Sequence, residues 1–426
     1  METASREKNH EKSISLNGFR GVTMKIIVQK FGGTSVRDDK GRQHAKKHIQ
    51  SALDEGYKVA VVVSAMGRKG DPYATDTLLS LVNGSNSNIS NRETDLLLSC
   101  GEIISSVVFT NQLLHEGIKA TALTGAQAGF RTNDDHMNAK IIDMRCERVM
   151  NAFETHDVVV VAGFQGQAKN GDITTIGRGG SDTSAAALGV ALNADFIDIF
   201  TDVEGIMTAD PRIADNARPL QVVTYTEVCN MAYQGAKVIH PRAVEIAMQT
   251  KVPIRIRSTY SDNPGTLVTS ISRENMVKDR MVTGIAHVSS VTQIKVFAKK
   301  DQYDLQAEVF KAMANEKISV DFINISPNQV VYTVTEEMTD KAISVLRSLG
   351  HEPAVERDCA KVSVVGAGMA GVPGVTSKIV GALSENGIRI LQSADSHTTI
   401  WVLIKEADLS TAVNALHDVF ELDKEN

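Results

Sequence analysis

Lys30, Gly32 and Gly33, in the stretch Lys30-Phe31-Gly32-Gly33-Thr34-Ser35-Val36, stand directly after the apolar run Ile26-Ile27-Val28. Adjacent glycines let a backbone approach a phosphate and offer N–H groups to it, while a lysine adds a compact positive charge at the same place. A second group of this kind is Gly177-Arg178-Gly179-Gly180-Ser181-Asp182, followed at once by the helix-forming Thr183-Ser184-Ala185-Ala186-Ala187-Leu188. A helix N-terminus favours an anion, Arg178 suits a carboxylate bidentately, and Asp182 is either a cation-orienting group or only the helix cap. A third group, Gly235-Ala236-Lys237-Val238-Ile239-His240-Pro241, brings one more lysine into a turn before a helix. Two lysines, an arginine and several glycine loops describe a site for polyphosphate and carboxylate together. Glu102 interrupts an apolar, small-residue stretch and, if buried, needs a partner or a ligand.

These groups need elements that aim them at one place. Strands are expected at Ile26–Val28, at the β-branched run Val59–Val63, at Ile118–Leu123, Asp157–Val161, Phe196–Phe200 and Val252–Arg257. Helical periodicity lies between them: Ala45, Ile49 and Leu53 share one face of a helix that stops at Gly56, and another helix starts near Thr75-Asp76. Alternation of this kind specifies an α/β sheet, in which ligands sit beyond the carboxyl ends of the strands. Several chemistry-bearing segments fall there: Gly32-Gly33, Ser64-Ala65-Met66-Gly67, Gly163 to Gly166, and the irregular loop from Thr201 to Arg212. Residues 83–91 read as an exposed loop.

The length of 426 residues implies two or three domains. Hydrophobic residues at 42% and charged residues at 23% fit a folded globular chain. With 51 acidic against 45 basic residues the net charge is −6, which argues against nucleic acid or a membrane as the main partner. Cys100, Cys146, Cys229 and Cys359 are widely spaced without C-x-x-C, as expected of a reducing cytoplasm and of a chain with no protein-held metal site. No uninterrupted apolar run of about 18 residues argues for a membrane span. Residues 1–23 lack the apolar core of a signal peptide and read as a disordered extension, with Met24 a second candidate start.

Taken in order, Lys-Phe-Gly-Gly-Thr-Ser-Val, the Val-Val-Ser-Ala-Met strand end, Gly-Arg-Gly-Gly-Ser-Asp-Thr, Thr-Asp-Val-Glu-Gly-Ile with Asp-Pro-Arg, and Gly-Ala-Lys-Val-Ile-His-Pro resemble aspartate kinase. The resemblance covers residues 24–426. It implies a carbamate-kinase-like αβα sandwich followed by two ACT (βαββαβ) domains, and transfer of the γ-phosphoryl group of ATP, with Mg2+, to the β-carboxylate of L-aspartate. That reaction opens the route to lysine and diaminopimelate, methionine and threonine. By the same resemblance Lys30, Phe31, Gly32 and Gly33 hold phosphates, with Lys30 stabilising the transferred group; Ser64, Thr75, Glu102, Arg178 and Ser181 face aspartate. Asp182 sits by the phosphates and magnesium; Thr201, Asp202, Met207 and Arg212 surround the nucleotide, and Lys237 with Val238 adjoins a phosphate. Met207 stands where many members carry tyrosine. The acceptor carboxylate is already ionised near neutral pH, so no strong base is needed and alignment with charge neutralisation suffices. His240, before Pro241, reads as structural. The rival readings are another kinase of the same superfamily and a non-catalytic ACT sensor.

The expected domains are a catalytic unit at 24–260, a linker at 261–280, and ACT units at 281–350 and 351–426. Each ACT unit shows strand, helix and strand, with Ile318 and Ile388 as equivalent strand positions 70 residues apart. ACT domains of aspartate kinases bind end-product amino acids and commonly pair between subunits, which implies a homo-oligomer. The residues matching the regulatory pattern are Asp321, Asn324, Ile325, Val375, Ser393 and Asp395. Members inhibited jointly by lysine and threonine carry glutamine where Ile325 stands. The segment from Arg389 to Trp401 most resembles diaminopimelate-sensitive members from Gram-positive bacilli, so meso-diaminopimelate is the expected effector and lysine the runner-up.

Overall fold

The computed structural model describes residues 24–82, 88–236, 238–270, 281–299, 302–369 and 371–424. The expected extension at 1–23, Lys237 and much of the expected loop at 83–91 lie outside the described residues.

Ile26–Phe31 is the axis of the first domain, pairing in parallel with Lys58–Val63 on one side and with Phe196–Thr201 on the other. The eight-stranded sheet continues outward through Val158–Ala162 to Ala120–Leu123 and, on the opposite side, through Ile254–Ser258 and Thr266–Thr269 to Val222–Thr224. Val59 to Val63 are completely buried, which is why this run lacks polar alternation. Helices Asp39–Asp54 and Asn91–His115 cover one face through Ala45, Ile49, Phe109 and Leu113. Gly180–Ala191 and Pro241–Thr250 cover the other through Ala185, Leu188, Val244 and Ala247. The layers are therefore αβα.

Thr266–Thr269 corrects the expected linker. This strand pairs antiparallel with Ile254–Ser258, so Asn263-Pro264-Gly265 is a reversal inside the sheet rather than a boundary. A further four-stranded sheet, Ile141–Met144, Phe130–Thr132, Gln165–Ala168 and Ile173–Thr175, sits beside the large one and ends at the Gly177–Asp182 loop.

Asn91–His115 is long and apolar enough to cross a membrane, a case that counting uninterrupted apolar residues missed. Half of its most apolar stretch is buried inside the protein, and its buried face carries Asp95 and Glu102. It is a core helix.

The regulatory half is one six-stranded sheet ordered Asp321–Ser326, Gln329–Thr335, Gly284–Phe297, Ala354–Val365, Thr399–Lys405 and Gln392–Asp395. The two central strands are long, and each serves both units. Val291 to Lys295 pair with Ala354 to Cys359, whereas Gly284 to Val288 pair with Lys361 to Val365, the register shifting between. Ser290 and Asp358, both at φ 55°, mark the bends. Ile285 and Val282 accordingly belong to the core built by Val362, Ile379, Leu383 and Val413, while Ile294 and Val296 belong to that of Val309, Tyr332 and Leu346. The units interlock, so a cut at 350 does not separate them.

The 70-residue repeat has a different basis from the expected one. Ile318 N donates to Met313 O and Lys317 N to Ala314 O, after a left-handed Lys317; Ile388 N donates to Leu383 O and Gly387 N to Ser384 O, after a left-handed Gly387. These are matching Schellman caps, with each isoleucine packed back on its own helix. The strands begin later, at Asp321 and Gln392.

Candidate active site

At the carboxyl ends of Ile26–Phe31 and Lys58–Val63 lies a cavity of about 470 Å3. Lys30, Ser64, Thr75, Glu102, Arg178, Ser181 and Asp182 all line it, brought together from five separate segments.

Lys30 is the penultimate residue of its strand, and its Nζ lies 2.7 Å from Asp182 Oδ1, both side chains being only 13% exposed. The second Asp182 oxygen accepts from the backbone N–H of His240, 3.3 Å away. His240 itself caps the Pro241–Thr250 helix through Nδ1, which accepts from Arg242 N. Its ring occupies the space over Gly179, where an added Cβ would lie 2.2 Å from it, and Gly179 has φ 68°. His240 is thus structural, holding Asp182 and the Gly179 turn.

Gly33 is dictated by the neighbouring chain. A Cβ there would sit 2.6 Å from the carbonyl oxygens of Ala65 and Gly67, and Gly67 N donates to Gly33 O. At Gly32 an added Cβ would meet, among the described residues, only Lys30 Nζ, at 3.5 Å, so this backbone is the open one.

Glu102 is 2% exposed. Oε1 accepts from Ala65 N at 3.1 Å, and Oε2 has no partner among the described residues. Burial pushes its pKa up to about 8. A half-satisfied buried carboxyl on a cavity wall is a receptor for a ligand donor. Arg178 and the amides at the start of Gly180–Ala191 lie on the same wall system, so the cavity carries cationic and anionic binding groups together.

A family model described as the amino acid kinase family matches residues 25–258, and one described as an ACT domain matches residues 354–418. Aspartokinase 1 of Bacillus subtilis (strain 168) is 69% identical over 404 residues, covering 94% of this chain and 100% of that protein. Aspartokinase of Mycolicibacterium smegmatis is 40% identical, covering 94% of this chain and 97% of its own. The chain belongs to the aspartokinase family. It is an ATP-using kinase with ACT regulation, as its similarity to these relatives over nearly their whole length shows. Among solved structures, aspartokinase III of E. coli in complex with aspartate and ADP has a TM-score of 0.74 at 26% identity, covering 93% of this chain and 99% of that one.

The remaining described residues expected of an aspartokinase site fall outside the cavity lining. Phe31 is completely buried and stacked on Phe200, with ring centroids 4.7 Å apart, so only its backbone is available to a ligand. Thr201 ends the strand beside Phe31, and Asp202 is paired with Arg68 at 2.8 Å across the mouth of the glycine loop. Met207 forms an isolated bridge with Pro219, Val238 packs on the main core, and Arg212 pairs with Asp210 of its own loop at 2.6 Å while 87% exposed. Asp202, Met207 and Arg212 lie in the segment that follows strand Phe196–Thr201.

That segment is built into the second regulatory unit. Ala209 and Ala214 belong to the core of Val362 and Val413, Thr208 Oγ1 is 2.9 Å from His417 Nε2, and Ile285 N donates to Thr208 O. Helix Tyr225–Tyr233 adds Asn230 Nδ2, donating to Thr398 Oγ1 at 2.8 Å. The regulatory positions lie farther off. Asp321, Asn324 and Ile325 are on one edge strand and Ser393 and Asp395 on the other, and the edges meet where Gln392 Nε2 donates to Phe322 O. Val375 is buried at a helix start.

Sequence reasoning missed Asp95, His136 and Met137, which wall or support the cavity together with Phe164 and Thr175. The available signal was the i, i+3, i+7 spacing of Asp95, Leu98 and Glu102 on one helix face.

Proposed function

We propose that the cavity is the aspartate site and that the Lys30, Gly32 and Asp182 side of it receives the phosphates of ATP. The observation carrying this reading is the opposition of two unlike ends in one cavity: the Lys30–Asp182 pair, and the half-satisfied Glu102 carboxyl. Glu102 accepts the α-ammonium of aspartate, and Arg178 pairs with a carboxylate as a planar fork. The β-carboxylate oxygen attacks the γ-phosphorus, the bond to the bridging oxygen breaks, and ADP leaves with that electron pair. Lys30 follows the charge on the transferred group, with Ser181 and the first amides of Gly180–Ala191 nearby. The carboxylate of Asp182 suits Mg2+, which when bound neutralises phosphate charge; the other ligands would be phosphate oxygens and water.

Feedback control enters through the second regulatory unit and the Thr208–His417 contact, toward the segment that follows Thr201. Ile323 and Ile325 are exposed on the edge strand Asp321–Ser326, which supports strand pairing between subunits and a homo-oligomer. The four unpaired cysteines support a cytoplasmic location. The test is Arg178→Lys with each substrate varied in turn. A raised aspartate KM with unchanged ATP KM is expected, and the reverse would move Arg178 to the nucleotide side.

A further inference from the structure

Asp95 is completely buried, one residue of the same helix that carries Glu102, and belongs to none of the groups given a role above. Its carboxylate is saturated by donors from two other segments. His136 Nδ1 donates to Oδ2 at 2.7 Å, Met137 N lies 3.1 Å from both oxygens, and Thr175 Oγ1 donates to Oδ1. Burying a carboxylate is costly unless such donors surround it, so these bonds fix the loop and the strand end rather than decorate them.

The loop so fixed is a support for Arg178. Ala139 N donates to Thr175 O, and Arg242 reaches the carbonyls of Ala139 and Ile176 from the other side. Gly177 rests on this loop, its Cβ position lying 3.0 Å from Asn138 Oδ1 and 3.3 Å from Met137 O. Met137, Thr175 and Arg178 all line the cavity. Asp95 and Glu102 are seven residues apart, so about 10 Å of rigid helix separates the anchor of the Arg178 loop from the carboxyl at the other end.

We propose that Asp95, through His136, is a positioning residue that sets the distance between Arg178 and Glu102, and thereby the length of amino dicarboxylate the site accepts. This rests on the reading of Arg178 and Glu102 as substrate contacts. With the anchor intact, the span fits aspartate and rejects glutamate, which is longer by one methylene; loosening the anchor raises the aspartate KM and narrows the preference.

The experiment uses the full-length enzyme and four variants: His136→Ala, His136→Asn, Asp95→Asn and Arg178→Ala. His136 precedes the cavity-lining Met137 and has a side chain 17% exposed, so its truncation is compatible with folding even if Asp95→Asn is not. His136→Ala is expected to raise the aspartate KM about tenfold, as for loss of a hydrogen bond to a charged group, with ATP KM within about twofold of wild type. Asparagine, which puts a donor near the place of Nδ1, restores most of the loss, and the aspartate-to-glutamate ratio of kcat/KM falls in His136→Ala and in a folded Asp95→Asn but not in His136→Asn. An aspartate KM unchanged in His136→Ala, with Arg178→Ala strongly impaired for aspartate, would overturn the positioning role and leave the site reading intact. Equal losses toward aspartate and ATP would overturn it as well. An Arg178→Ala enzyme with normal aspartate KM would overturn both readings.

Discussion

Lys30 Nζ and Asp182 Oδ1 are 2.7 Å apart in a setting where both side chains are only 13% exposed. The pair satisfies two charges that would otherwise face the cavity alone, and each becomes available when phosphate and cation take the other's place. Removing Lys30 therefore removes a transition-state charge and leaves Asp182 next to the phosphates uncompensated. Lys30→Ala should lower kcat by roughly 100-fold or more. Asp182→Asn should produce a loss that excess Mg2+ partly offsets, whereas Lys30→Ala should not respond to Mg2+. Initial rates over a magnesium series separate the two, and near-normal turnover of Lys30→Ala would remove lysine from the mechanism.

Gly33→Ala should act through the fold. Its Cβ would lie 2.6 Å from two backbone oxygens of the Ser64–Gly67 strand end, which cannot move without shifting Ser64 and the Glu102 partner Ala65. Overpacking of this kind costs about 1–3 kcal/mol. We expect a lowered Tm together with weakened binding of both substrates. A Tm equal to wild type would show that the strand end yields freely.

Glu102 gives the enzyme a pH signature. Its carboxyl titrates near 4.5 when unfolded and at about 8 in the folded protein because burial disfavours the charge. Between those values the folded form holds the extra proton, so its stabilising contribution is complete below 4.5 and is lost as pH rises toward 8. The Tm of the ligand-free wild type should fall over this window relative to Glu102→Gln. Aspartate brings an ammonium that favours the ionised carboxyl, so the aspartate KM should fall as pH approaches 8 in the wild type only. Parallel Tm and KM profiles for the two proteins would exclude Glu102 as the ammonium receptor.

The strand ends were legible because buried parallel strands write themselves as β-branched runs, and the chemistry clusters where such runs stop. Lys30, Ser64, Arg178 and Asp182 could be named on those grounds, helped by the family pattern, and Glu102 as a charge interrupting an apolar stretch. Asp95 was missed: its helix spacing with Glu102 was visible, but its partners His136 and Thr175 stand 41 and 80 residues away and nothing in the spacing announces them. The interlocking of the regulatory units was hidden for a similar reason. A single strand such as Gly284–Phe297 looks continuous in sequence, while its bend at Ser290 and its change of partner are tertiary facts. Ile318 and Ile388 show the converse case, a correct repeat whose apolar residue caps a helix instead of opening a strand.

The regulatory edges carry the last expectation, which concerns the effector. Asp321 is ion-paired with Lys361 Nζ, and Ile325, four residues on, is 57% exposed and offers neither donor nor acceptor. An amino acid whose polar group had to lie against Ile325 would leave that group unpaired, at about 1–3 kcal/mol. The second edge adds Ser393 and Asp395, and the Gln392 contact with Phe322 brings the two edges together. A ligand with an amino-carboxylate at each end can address the Asp321–Lys361 pair with one head and the Ser393–Asp395 edge with the other. We therefore expect inhibition by meso-diaminopimelate alone, lysine being the weaker alternative and threonine nearly inert. Initial rates at subsaturating aspartate, with each amino acid singly and lysine plus threonine together, provide the measurement. Asp321→Asn should relieve diaminopimelate inhibition while leaving the uninhibited rate in place. Strong joint inhibition by lysine and threonine with diaminopimelate silent would refute the assignment, because Ile325 would then have to face a polar ligand group it cannot satisfy.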